Sequence, residues 1–241
     1  MKIGLKVWTP EQAVEMIEKC RPDFIETMAI ESETYNKLKN YDIPFTIHME
    51  HMKFGVNLAD PNKKDRNKLA MGFAIDTADM LDAKTIVVHL GFLDNKNCNL
   101  DVAMEFLNGF DDKRIVFENM PYYPLVGVKK TELCSNLTDI RKAIENTNKG
   151  FCLDFGHAAA GAYGLGIDYM KMVRDLMKLK PRYFHFHDSL IKVTTDKHLH
   201  LGGGELDIQA FKSMLPKDAW VALETPMDIK GRINDIKFMK R

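Results

Sequence analysis

The sequence predicts a single α/β domain, a closed (β/α)8 barrel over residues 1–241. Three observations predict it. Eight short apolar runs recur along the chain, nearly continuous in hydrophobic residues, as strands buried on both faces of a parallel sheet must be. Segments with helical spacing and capping residues lie between them. The length, 241 residues, is what one such barrel fills, and no linker or low-complexity tract divides it. A doubly wound open sheet is the alternative arrangement of the same elements.

The first run is Lys2–Trp8. Thr9-Pro10-Glu11-Gln12 follows, with a cap residue, Pro at the first helical position and Gln placed to return the capping bond. Val14 and Ile17 extend that helix as an apolar stripe. The second and third runs are Asp23–Met28 and Pro44–Met49. A long helix is expected over Asn62–Asp82, with Leu69, Phe73, Met80 and Leu81 near helical spacing. The run Thr85–Leu90 precedes a helix at Val102–Asn108, and Arg114–Met120 precedes one at Asn136–Asn146. Gly150–Phe155 is followed by a helix at Tyr169–Leu179. Tyr183–Asp188 leads to a short helix at Ile208–Leu215. Trp220–Thr225 is the eighth run, and a helix at Ile229–Lys240 follows it.

Composition excludes several function classes. Hydrophobic residues make up 45% and charged residues 28%, as in ordinary soluble domains. Basic and acidic residues number 34 each, so the zero net charge argues against a broad basic coat for nucleic acid. The start, MKIGLKVWTPEQ, lacks the apolar core of a signal peptide, and no stretch approaches the ~20 apolar residues of a membrane span. Cys20, Cys98, Cys134 and Cys152 are scattered without a CxxC pair, which fits buried free thiols rather than disulfides or a cysteine zinc site. A cytoplasmic protein with no membrane partner is expected. The 15 methionines read as core filler.

Chemistry gathers at the strand ends. In a (β/α)8 barrel the active site forms on the C-terminal face of the strands. From the third run onward each run ends in His, Glu or Asp: His48 and His51, His89, Glu118, Asp154 and His157, His185 with His187 and Asp188, and Glu224. His198 and His200 fall in the loop after the seventh run, so all eight histidines lie near this one face. A single histidine at a strand end usually has a structural role. Convergent carboxylates, however, would repel each other or take up protons without cations. Imidazole nitrogen with carboxylate oxygen suits Zn2+, with Mn2+ or Fe2+ as alternatives.

These motifs resemble the endonuclease IV family, AP endonuclease family 2, within the xylose isomerase-like TIM barrels. The resemblance runs over nearly the whole chain. It rests on His51 with Asn57 in HMKFGVNLADP, His89 in VVHLGF, Glu118 in IVFENM, Asp154 and His157 in CLDFGHAAAG, His185 in FHFHDS, Asp196 and His198 in DKHLHLGGGELD, and Glu224 in ALETP. It implies three zinc ions on nine ligands. One would take His51, His89 and Glu118. A second would share Glu118 and take Asp154, His185 and Glu224. The third would take His157, Asp196 and His198. His51 is assigned by its spacing to Asn57, although His48 closes the strand more naturally. His185 is assigned by its spacing to Asp188, and His187, of the same strand parity, is read as supporting the ligands. The family's activity implies phosphodiester hydrolysis at abasic or damaged DNA. Three zinc ions over four ligand carboxylates would make the filled pocket cationic although the chain is neutral.

The DNA-contacting parts are less evident. The family's Gln/Arg/Trp-rich loop after the second strand reads Thr27-Met28-Ala29-Ile30-Glu31-Ser32-Glu33 here, and Phe54 stands at the family's tyrosine. Lys53, Lys63, Lys64, Arg66, Lys129 and Lys130 are candidate phosphate contacts, though charged side chains on helices and loops are more often simply solvated. The alternative is a sugar or sugar-phosphate isomerase or epimerase of the same superfamily. Glu118, Asp154, His185 and Glu224 would then hold one divalent metal, and Glu118 and Glu224 would move a proton on and off a sugar carbon. Asp196 and His198 favour the three-metal arrangement. A third class, a non-catalytic binding protein, calls for lost ligands, and none is lost.

Overall fold

The computed structural model describes residues 1–241, and in it eight parallel strands close into a barrel in strict chain order. They are β1 (Lys2–Val7), β2 (Phe24–Ala29), β3 (Phe45–Met49), β4 (Ile86–Val88), β5 (Ile115–Glu118), β6 (Gly150–Asp154), β7 (Tyr183–Phe186) and β8 (Trp220–Leu223). β1 pairs with both β2 and β8, so the sheet has no free edge. The barrel, not the open sheet, is therefore the fold.

Eight α-helices surround it: α1 (Pro10–Cys20), α2 (Lys64–Met80), α3 (Leu100–Asn108), α4 (Leu137–Asn146), α5 (Phe155–Gly164), α6 (Tyr169–Met177), α7 (Ile208–Met214) and α8 (Ile229–Lys240). The capping box expected at α1 is present, with Thr9 Oγ1 accepting from Gln12 N–H and Gln12 Oε1 accepting from Thr9 N–H. Two features depart from one helix per strand. The β2–β3 connection holds only a 3-10 segment, Asn36–Asn40, which is pinned by the Tyr35 hydroxyl donating to Met28 C=O at 2.6 Å. The β6–β7 connection holds two helices, and α5 has no amphipathic stripe, because every residue from Phe155 to Ala162 is buried. A helix apolar all round gives no periodic signal.

Strand parity places the site. Inside the barrel, Phe24, Val87, Val116, Cys152, Tyr183 and Ala222 form an apolar plug. Gly4 joins it without a side chain, since a Cβ there would lie 2.3 Å from the Phe24 ring. Thr46 also points inward, its Oγ1 being 2.8 Å from the Tyr183 hydroxyl. Side chains two residues apart on a strand share a face. The next inward positions are therefore Lys6, Glu26, His48, His89, Glu118, Asp154, His185 and Glu224, one ionisable residue per strand. The larger core lies between barrel and helices.

Asn57 ties the loop after β3 to the loop after β4. Its buried Nδ2 donates to Phe92 C=O at 3.0 Å, and its Oδ1 accepts from the N–H groups of Phe92 at 3.1 Å and Ala59 at 3.2 Å. Asn57→Ala would strand these three backbone groups, and urea unfolding should show a loss of about 3 kcal/mol.

Candidate metal centre

The ring of strand-end residues converges on Glu118. Its Oε2 lies 3.1 Å from His89 Nε2 and 3.6 Å from His48 Nε2, and its Oε1 lies 2.9 Å from His185 Nδ1 and 3.1 Å from His157 Nδ1. His185 Nδ1 is also 2.6 Å from Glu224 Oε1. Asp154 ends β6 and caps α5, its Oδ1 accepting from His157 N–H at 2.6 Å, so strand end and first helical turn deliver two donors together. Asp196 and His198 come from the long β7–α7 loop. That loop folds back through pairing of Leu199 with Asp188 and is gathered by the Asp188 carboxylate, which accepts from the N–H groups of Ser189, Gly202, Gly204 and Leu206. His198 takes a left-handed backbone (φ 42°) that non-glycine residues rarely adopt.

Three groups of donors result. His48, His89 and Glu118 form one; Glu118, Asp154, His185 and Glu224 form another; and His157, His187, Asp196 and His198 form the third, with one donor atom per residue within 4.8 Å of the others. Of the nine ligands inferred from sequence, His89, Glu118, Asp154, His157, His185, Asp196, His198 and Glu224 meet in these groups. His51 stands at the rim, its ring stacked on His89 at 5.1 Å, while His48 occupies the deeper place beside Glu118.

Burial opposes charge here, and neighbours decide the outcome. Burial raises the Glu118 carboxyl, but His185 and His157 outweigh it and hold it well below the ordinary range. Glu224 is likewise lowered, by Lys6 and His185 against burial, and Asp196 by His187 and His198. Burial brings His89 down to about 4 despite Glu118, keeping the neutral form that binds metals.

The sequence profile of the family described as "Xylose isomerase-like TIM barrel" matches residues 7–241. The chain belongs to this family. A relative named "Probable endonuclease 4", from Mycobacterium leprae, is 26% identical over 214 residues, which cover 84% of this chain and 80% of the relative. The crystal structure of a D-tagatose 3-epimerase-like protein superposes with a TM-score of 0.75 at 19% identity, covering 100% of this chain and 96% of that one. Endonuclease IV from Thermus thermophilus superposes with a TM-score of 0.73 at 16% identity, covering 100% and 98%. At these identities the structures establish the fold alone.

Within this xylose isomerase-like barrel, the donor set fits divalent metals on its own evidence. Buried Asp154 Oδ2 and His48 Nε2 have no hydrogen-bond partner. The hydrogen-bond network also marks which ring nitrogen is left for a metal. His48 Nδ1 donates to Met49 C=O at 2.8 Å, and His157 Nδ1 faces Asn119 C=O at 2.9 Å. His185 Nε2 donates to Glu26 Oε2 at 3.0 Å. With a metal bound, each ring would thus turn its other nitrogen, as a lone pair, towards the ion held among the carboxylates. That is the usual support for metal-bound imidazole; without an ion, neighbouring charges hold His157 and His185 well above the ordinary range against burial, and protons stand in for the metal.

Sequence reasoning passed over Lys6, Glu26 and Glu132. Lys6 Nζ bonds Glu224 Oε1 at 2.6 Å and lies 3.8 Å from Glu26. A charged residue inside an apolar strand was the available signal for Lys6 and Glu26. Glu132 lines the mouth of the barrel, where burial pushes its carboxyl up to about 8 against the pull of His157. A carboxyl whose folded value is raised keeps a proton that the unfolded chain releases, so stability falls as pH rises from about 4.5 to 8. In chelator-treated protein, Glu132→Gln should melt above the wild type at pH 8, with the gap closing towards pH 4.

Proposed function

We propose that this chain is a divalent-metal-dependent phosphodiester hydrolase resembling endonuclease IV. The observation that carries the reading is Glu118. Its two oxygens face two donor groups at once, His89 with His48 through Oε2 and His185 through Oε1. A one-metal isomerase needs the Glu118, Asp154, His185 and Glu224 group alone, whereas a carboxylate shared by two groups serves neighbouring ions. Bound zinc or manganese supplies a nucleophile at neutral pH and stabilises the charge of an in-line displacement. The chain's own residues orient that chemistry. Glu26 fixes the His185 ring, Lys6 holds Glu224, and the Asp188-gathered loop presents Asp196 and His198. His51, at the rim and T-stacked on Trp8, and Lys53, 4.5 Å over the Trp8 ring, edge the entrance where a phosphate would arrive. All four cysteines are free and buried, in keeping with a reducing, cytoplasmic setting. No helix is long and apolar enough to cross a membrane.

Substrate size favours a second reading, a small sugar or sugar phosphate. The mouth is a cavity of about 240 Å³, walled by Pro121, Pro124, Leu125 and Val126. The loop after β2 is acidic, and Arg66 is committed to Glu50 and Glu31 rather than free for a phosphate backbone. Lys130 is likewise paired, with Asp94.

Metal analysis and a substrate panel separate the readings. Phosphodiester hydrolysis predicts about three zinc equivalents, matching the three groups, with chelator-sensitive cleavage of an abasic-site duplex or of bis(p-nitrophenyl) phosphate. One equivalent, with exchange of a sugar C–H in D2O and no cleavage, would establish the isomerase instead.

A further inference from the structure

We infer that His187 is a fourth protein donor that closes the third metal position, so that this position holds its ion without an open place for substrate. The inference rests on the metal-centre reading above and sharpens it. His187 is fully buried on the strand-end face, and its Nδ1 faces the Asp188 carbonyl at 3.1 Å. With an ion bound, that contact would hold the one remaining ring proton and leave Nε2 free to coordinate. Nε2 lies 3.2 Å from Asp154 Oδ1 and 3.3 Å from Asp196 Oδ1. A ring nitrogen between two carboxylate oxygens calls for a cation, either its own proton or a metal ion.

The spacing is close to that of a coordination shell. Zinc–ligand bonds of 2.0–2.1 Å place the donors of a tetrahedron about 3.3–3.4 Å apart. Asp196 Oδ1 lies 3.3 Å from His187 Nε2, its Oδ2 lies 3.5 Å from His157 Nε2 and 2.8 Å from His198 Nδ1, and one donor atom from each of the four residues lies within 4.8 Å of the others. Space for the ring is built in. Gly156 lies between Asp154 and His157, and a Cβ there would sit 1.9 Å from His187 Cε1.

Three imidazoles and one carboxylate fill a tetrahedral ion. Sites closed in this way hold their metal structurally, whereas catalytic sites keep one position open. Contact with the reacting phosphate therefore falls to the two groups that share Glu118, and the third ion fixes α5 to the β7–α7 loop.

The test compares wild type with His187→Asn, each loaded with Zn2+ and dialysed against a chelator. Wild type should retain one zinc per chain, and His187→Asn none, with zinc affinity at this position lower by at least about 10–100-fold. Co2+ loading gives a readout that needs no variant: the retained ion should show the intense visible bands of four-coordinate cobalt. Equal retention in both proteins, or weak octahedral bands in the wild type, overturns the role of His187; the ring is then an imidazolium paired with Asp154 and Asp196. If wild type binds no metal even when loaded, the metal-centre reading falls as well. Circular dichroism confirms that the variant folds, and the wild-type cobalt spectrum decides alone if it does not.

Discussion

Replacing Glu118 with Gln is expected to lower turnover by at least about 10²–10³-fold, the scale on which a single transition-state contact acts. It should also remove two metal equivalents together. An amide offers one neutral oxygen where the carboxylate offers two charged ones. It can serve neither the His48–His89 side nor the Asp154–His185–Glu224 side as before. The fold should survive, because the amide NH2 can still donate to the nitrogen that His89 or His185 turns towards it, at 3.1 and 2.9 Å. Activity alone does not choose between hydrolase and isomerase, since Glu118 is essential to both. Metal content does. Loss of two equivalents identifies a bridging carboxylate, loss of one identifies a single-metal site, and an undiminished content removes Glu118 from the ligands.

The barrel and the strand-end donors of the candidate centre were legible in sequence because both follow from strand parity, whereas Asp196 and His198, in a loop, were marked only by the family resemblance. A run such as Arg114–Met120 must be buried on both faces, and its terminal carboxylate, two residues beyond Val116, inherits the inward direction. The same rule run backwards would have exposed Lys6 and Glu26, which lie two residues beyond Gly4 and Phe24. They were hidden because β1 and β2 continue apolar past them. Parity gives direction but not depth. His48 and His51 both end the third run, and only the turn by which the chain leaves the barrel decides that His48 reaches Glu118 while His51 stays at the rim. The helix α5 carried no periodic signal because nothing on it meets water, and so the placing of His157 on a first helical turn was invisible. The place of His187 depends on a loop folded by Asp188 far along the chain, which no local pattern records.

Arg232→Met is expected to cost about 4 kcal/mol of folding stability, and the reason lies beneath the centre rather than in it. Arg232 is 2% exposed and sits in the first turn of α8. Its Nε donates to Pro226 C=O at 3.0 Å, Nη1 to Lys6 C=O at 2.8 Å and Nη2 to Thr225 C=O at 2.7 Å. One guanidinium thus saturates the carbonyls where β1 and β8 leave the barrel, on either side of the seam that closes it. Methionine keeps the volume of the stem and leaves three buried acceptors unpaired, each costing about 1–3 kcal/mol unless water enters. For a domain of this size the loss should lower the melting temperature by roughly 8–16 °C. Arg232→Lys, with one compact donor group for three divergent carbonyls, should recover only part of it. The same carbonyls flank Lys6 and Glu224, whose side chains meet at 2.6 Å. Loosening the seam should therefore also weaken metal retention at the Glu224 group more than at the His187 group, which meets Glu224 only through His198 Nε2 at 2.9 Å. A change below about 1 kcal/mol would show that water already satisfies these carbonyls and that the seam closes without the arginine.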